Sequence, residues 1–194
     1  MPELPDVEIY KQYMDATALH QRIKDVDVST TDILDHISKA KLMRSLKGHS
    51  FSGTRRHGKH LFVATDGDTV LHLHFGMTGS LQYFREPDKD QRHVRARFYF
   101  DNGYQLAYIC QRMLGHIGLV DDVDAYIERR QLGPDAAAID LKTLKTAAGK
   151  TRQAVKSFLM DQQKIAGLGN IYADEVLFQS RLHPKLSANS LSDD

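Results

Sequence analysis

The feature that most limits what this chain can fold into is a succession of short β-rich runs between Ser50 and Val120. They cover residues 51–54, 60–64, 69–75, 79–84, 94–100 and 104–109. Turn signals separate them, among them Asp66-Gly67-Asp68 and Asp101-Asn102-Gly103, and the Asn-Gly pair is a strong hairpin signal. Alternation in Leu71-His72-Leu73-His74 and Val94-Arg95-Ala96-Arg97-Phe98 sends successive side chains to opposite faces. Strands with one buried face predict an antiparallel sandwich or barrel. Before this region, Pro5 to roughly Leu19 reads as a helix, with Pro near its start and Asp6 and Glu8 in its first turn. A second helix is expected over residues 32–45. After Leu132-Gly133-Pro134-Asp135 the period turns helical again, through Leu141, Leu144, Ala147 and Ala148, then Val155, Phe158 and Leu159. The fold class is α+β, with a mostly β domain over 1–130 and a helical domain over 131–194.

Composition narrows the function classes. The longest apolar runs are only a few residues, Ala136-Ala137-Ala138-Ile139 among them, far too short to span a bilayer. The N-terminus has neither the basic nor the apolar region of a secretory signal. The single Cys110 forms no internal disulfide, which fits a reducing compartment. Net charge is only +1, but it is unevenly spread. Residues 39–60 carry Lys39, Lys41, Arg44, Lys47, Arg55, Arg56 and Lys59 with no acidic residue. Such a stretch is either a phosphate-facing surface or a solvated basic edge.

Two short segments carry candidate chemistry. If Met1 is removed, Pro2 becomes a secondary amine with a pKa of about 7.7–8, against about 10.4 for lysine. Its unprotonated fraction at neutral pH is then a few hundred times larger than lysine's. Attack on a sugar aldehyde carbon would give an iminium, an electron sink that keeps its charge without a proton. Glu3 stands beside it as a proton shuttle. The plain alternative is that Pro2 and Pro5 only start a helix. Near the other end, Gly167-Leu168-Gly169-Asn170 precedes a helical run and would present backbone N–H groups to an anion, unless it is an ordinary turn.

Pro2-Glu3-Leu4-Pro5-Asp6-Val7-Glu8 resembles the opening of the formamidopyrimidine-DNA glycosylase / endonuclease VIII family. Further similar segments follow in family order: Arg56-His57-Gly58-Lys59-His60-Leu61, His72 to Leu81 with its Gly76-Met77-Thr78-Gly79 loop, Leu132-Gly133-Pro134-Asp135, and Leu159-Met160-Asp161 with Ile165 to Glu175. The resemblance covers nearly the whole chain. It implies an N-terminal helix with a two-sheet antiparallel β-sandwich, then part of a helix-two-turn-helix domain. It also implies a base-excision repair glycosylase with apurinic/apyrimidinic lyase activity on duplex DNA. By resemblance Pro2 is the Schiff-base nucleophile, Glu3 the catalytic acid/base, and Lys59 a catalytic-site lysine that grips phosphates beside the lesion. Asn170 and Tyr172, in the turn and helix of the helix-two-turn-helix motif, are DNA contacts, and His74 is a looser match.

Base extrusion leaves a hole in the duplex that side chains must fill. Met77 resembles the family's void-filler and Arg112 the arginine facing the orphaned base. Leu114 stands where the family usually has Phe; leucine still wedges between bases. The Leu4-Pro5 form of the opening leans toward the oxidised-purine branch. No Cys-x-x-Cys pair is present, so the family's Cys₄ zinc finger cannot be built here, and zinc is expected only with such a finger. Residues 190–194 read as the start of a helix whose body is missing, which predicts a truncated helical domain. The expected partner is DNA with a damaged base or abasic site, bound by a monomer with no cofactor in a cytoplasmic, nucleoid-associated setting. The rival reading is a weakly active or non-catalytic damaged-DNA-binding fragment.

Overall fold

The computed structural model describes residues 2–85 and 92–191. Two units separate: Met1–Arg56 with His60–Asp124, and His57–Lys59 with Ala125–Asp194. The first begins with α1 (Leu4–Thr17), which has Pro5 in its first turn. Its start is fixed by a capping box: Asp6 accepts from the Glu3 N–H at 2.9 Å while the Glu3 carboxylate turns back to the Asp6 N–H. Val7 and Met14 form its buried stripe. Tyr10 packs on Phe75 with ring centroids 4.5 Å apart and donates to the Gly79 carbonyl at 3.2 Å.

Eight strands follow: β1 (Ile23–Val28), β2 (Phe51–His57), β3 (His60–Thr65), β4 (Val70–His74), β5 (Gly79–Phe84), β6 (Val94–Phe100), β7 (Gln105–Cys110) and β8 (His116–Val120). They make two four-stranded sheets, ordered β1-β6-β7-β5 and β2-β3-β4-β8. This arrangement is the sandwich, not the barrel. Leu61, Val63, Leu71 and Leu73 of one sheet and Phe98, Leu106 and Tyr108 of the other belong to a single buried core. The Asp101-Asn102-Gly103 turn joins β6 to β7, with Gly103 at φ 82°.

The helix expected over 32–45 is in fact two pieces, a 3₁₀ turn at Thr31–Ile33 and α2 (Lys39–Leu46). Between them Leu34 bridges Ile117 in parallel, and the Asp35 N–H donates to the Ile117 carbonyl at 2.9 Å. Pairing with β8 outweighs helical propensity there. Ser38 then restarts the helix by capping the Lys41 N–H at 3.1 Å.

α3 (Val123–Arg129) follows β8, and α4 (Leu141–Gly149), α5 (Val155–Met160) and α6 (Asn170–Gln179) complete the helical part. Val155, Phe158, Leu159, Ile165, Ala173 and Leu177 form a second, separate core. Gln162 stitches the connection between α5 and α6, donating to Leu168 O at 2.8 Å and accepting from Gly167 N–H at 2.9 Å. Residues 192–194, part of the unfinished helix read from the sequence, lie outside the described residues. None of the described helices is long and apolar enough to cross a membrane.

Candidate active site and nucleic-acid interface

Pro2 is partly buried and directly precedes Glu3, which occupies the N-cap of α1 with no solvent exposure at all. A buried carboxyl at a helix N-terminus sits at the positive end of the helix dipole. The helix is bolted to its surroundings by the Tyr10 contacts and by the ion pair of Glu8 with Arg56, at 2.8 Å. Because Tyr10 touches both Phe75 and Gly79, the element that carries Pro2 and Glu3 also braces the loop that carries Met77.

That loop and the one after β7 lie side by side. Gly76 has φ 56°, and a Cβ there would stand 2.3 Å from the Leu114 carbonyl carbon, so only glycine fits. The Arg112 N–H donates to the Thr78 hydroxyl at 3.0 Å. Met77, Arg112 and Leu114 are thus brought together and exposed, Met77 by 38% and Leu114 by 52%. Met113 joins them, 42% exposed and held at φ 50°. Its left-handed backbone left no mark on the sequence, so it escaped the sequence reading.

His74 ends β4, at the base of the Met77 loop. Its ring stacks on His116 at 4.8 Å and tilts against His60 at 5.0 Å, while its Nδ1 accepts from the Gly76 N–H at 3.3 Å. This is a ring packed into a sheet-face cluster.

In the other unit, Lys59 follows Gly58 at the β2–β3 turn. Gly58 has φ 55°, and its N–H donates to the Asp135 carboxylate at 2.7 Å; His57 Nε2 lies 2.8 Å from the Gly133 carbonyl. These contacts explain why Leu132-Gly133-Pro134-Asp135 reads as a motif: it is the seat of the Lys59 turn. Asn170 opens α6, is exposed, and reaches Asp174 at 3.3 Å; Gly169 as N-cap offers no side-chain oxygen. Tyr172 is 38% exposed one residue beyond Ile171.

Four cations of the basic stretch are paired with carboxylates, three of the pairs at the exposed surface. Lys39 pairs with Asp27 at 2.7 Å, Lys47 with Asp25 at 3.6 Å, Arg55 with Asp124 at 2.6 Å and Arg56 with Glu8. The Lys39 hydrogen bond holds the Asp27 carboxyl below its ordinary pKa. The carboxylates come from distant elements, so the segregation is linear and not spatial. Cys110 is buried in β7 opposite Gly79.

Comparison with known proteins agrees with this geometry. The formamidopyrimidine-DNA glycosylase N-terminal domain matches residues 1–117, and the formamidopyrimidine-DNA glycosylase H2TH domain matches residues 132–194. The formamidopyrimidine-DNA glycosylase of Mycoplasma genitalium is 31% identical over 195 residues, covering 99% of this chain and 69% of that protein. The Bacillus subtilis enzyme is 33% identical over 198 residues, covering 100% and 71%. A Lactococcus lactis relative solved in complex with DNA containing an abasic site superposes with TM-score 0.93 at 28% identity, covering 99% of this chain and 72% of that one. With both domains matched in order and the two-sheet, helical architecture shared, the chain belongs to the formamidopyrimidine-DNA glycosylase family of DNA repair enzymes.

Proposed function

We propose that this chain removes oxidised bases, purines preferentially, from duplex DNA and then cleaves the resulting abasic site through a covalent adduct on Pro2. The observation that carries the reading is the pairing of Pro2 with a fully buried Glu3 at the N-cap of α1. After loss of Met1, the Pro2 nitrogen attacks C1′ of the damaged nucleotide and forms the N–C1′ bond. The glycosidic bond breaks and the base leaves with its electron pair. Glu3 supplies the proton that opens the deoxyribose ring, which leaves an iminium. Loss of a C2′ proton then expels the 3′ phosphate, and a second elimination expels the 5′ phosphate. Met77, Arg112 and Leu114 fill the duplex vacancy while the base is extruded, an event that costs a few kcal/mol. Lys59, Asn170 and Tyr172 hold the backbone, and His74 is a further DNA-facing residue. The protein acts as a monomer in the cytoplasm on DNA carrying a damaged base or abasic site.

Strand incision tests this on duplexes with one oxidised purine, one oxidised pyrimidine or one abasic site. Glu3→Gln is expected to slow base release by about 10²–10⁴-fold, the usual worth of a general acid/base. Equal rates for the wild type and Glu3→Gln remove Glu3 from the mechanism. Faster release of the oxidised pyrimidine reverses the proposed preference. Tight binding to the abasic duplex without incision would make the protein a binding module.

A further inference from the structure

His72 and His74 alternate along β4 with the core residues Leu71 and Leu73, so both project from the opposite face of their sheet. His74 pairs in register with His60 on one side and His116 on the other, and His72 pairs with Phe62 and Gly118. The rings form a continuous set, with His60–His72 centroids 5.1 Å apart and His72–His116 centroids 5.3 Å apart. His60 Nδ1 lies 2.9 Å from His72 Nε2. The other His72 nitrogen, Nδ1, faces Gly118: it would lie 3.6 Å from a Cβ at that glycine, and the Asp35 Cβ is equally near the same point. Asp35 is delivered there by the backbone bond to Ile117 that interrupts the expected helix. One donor atom each from Asp35, His72 and His116 lie within 4.8 Å of one another, and His72 Nδ1 and His116 Nε2 are both buried.

We propose that Asp35, His72 and His116 form a site for one divalent transition-metal ion of the zinc class, with His60 orienting His72. Two imidazoles and a carboxylate are the borderline donor set that suits such ions, whereas calcium and magnesium take oxygen ligands. Bonds of about 2.0–2.1 Å place tetrahedral donors about 3.3 Å apart, so closing the set requires movement of about 1.5 Å or less. Asp35 can supply it, because its side chain is 26% exposed and sits on a short connector. The tautomers agree with this assignment. A His72 that gives its Nδ1 lone pair to a metal carries its proton on Nε2, where it donates to His60 Nδ1. Metal-binding histidines commonly donate their second nitrogen in this way. The ion would tie the connector between β1 and α2 to β4 and β8. With three protein ligands, a fourth position stays open to water.

The test uses the full chain after chelator treatment, titrated with Co²⁺ as a spectroscopic probe and with Zn²⁺ in calorimetry and thermal melting. One equivalent of Co²⁺ giving the visible absorption of a four-coordinate ion is expected, with a Zn²⁺-dependent rise in Tm. Asp35→Ala and His116→Ala should abolish both, and His183→Ala should leave both intact. His60→Phe should weaken binding about 10–100-fold, the usual effect of removing such a positioning residue. Folding of each variant is read by circular dichroism; Asp35→Ala alters only a part-exposed side chain and keeps the backbone bond to Ile117. Absence of saturable binding to the wild type overturns the proposal. So does a one-equivalent site that survives Asp35→Ala or His116→Ala in folded protein, because the ion then sits elsewhere.

Discussion

Tyr108 is wholly buried in the sandwich, and its hydroxyl donates to the His74 carbonyl at 2.8 Å, at the base of the loop that carries Met77. Burial, reinforced by Cys110, pushes its phenol far above the ordinary value of 10.0. The folded protein therefore keeps a proton that the unfolded chain releases. Its contribution to stability is whole below about pH 10 and shrinks as pH rises further, by up to about 1.4 kcal/mol per pH unit for one such group. Denaturant melts from pH 9 to 11 are expected to show the wild type losing stability more steeply than Tyr108→Phe. At neutral pH Tyr108→Phe should be less stable by about 1–3 kcal/mol, because the part-buried His74 carbonyl loses its donor. Parallel pH profiles for the two proteins would contradict this. The sequence disclosed the reactive-looking residues at this scale, since Pro2-Glu3 and Gly76-Met77 stand out as residue types. It could not disclose that Glu3 caps its own helix, or that Gln162 holds the turn before Asn170, because both depend on partners chosen by the fold.

Six of the eight strands could be read from alternation and turn residues. β1 could not, because a register shift between Ile23 and Asp25 breaks its period and charged residues occupy its exposed positions. β8 is only five residues long, and its Gly118 interrupts the apolar pattern. The split of the helix expected over 32–45 came from pairing to β8, information that local propensity does not carry. The β2–β3 hairpin makes a prediction at this scale. Gly58 has a left-handed φ of 55°, and an added Cβ would lie 2.9 Å from the Ala166 Cβ and 3.0 Å from Gly167 N. Gly58→Ala should cost about 1–3 kcal/mol, measured by denaturant unfolding, because strain and crowding act together. It should also weaken binding to abasic-site duplex through displacement of Lys59. A variant with unchanged stability would show that the turn relaxes without cost.

Across the whole chain, two cores form from separate stretches of sequence, and the turn that bears Lys59 groups with the helical one although it lies inside the β-rich half. No reading of composition places three residues of a hairpin in another unit. Linear charge has the same limit, since Lys39, Lys47, Arg55 and Arg56 of the basic run pair with carboxylates brought from β1, α1 and α3. What survived at this scale was the order of the motifs, because each marks a backbone junction the fold requires: the α1 start, the hairpin turn, the Met77 loop and the α6 N-terminus. The proposed chemistry rests on Pro2 acting as a nucleophile at the sugar. Borohydride reduction of the protein with abasic-site DNA, followed by proteolysis and mass spectrometry, tests it most directly. The expected result is a reduced covalent adduct on the N-terminal peptide at the Pro2 nitrogen, lost in Pro2→Gly. An adduct mapped to a lysine, or one formed undiminished by Pro2→Gly, would contradict it.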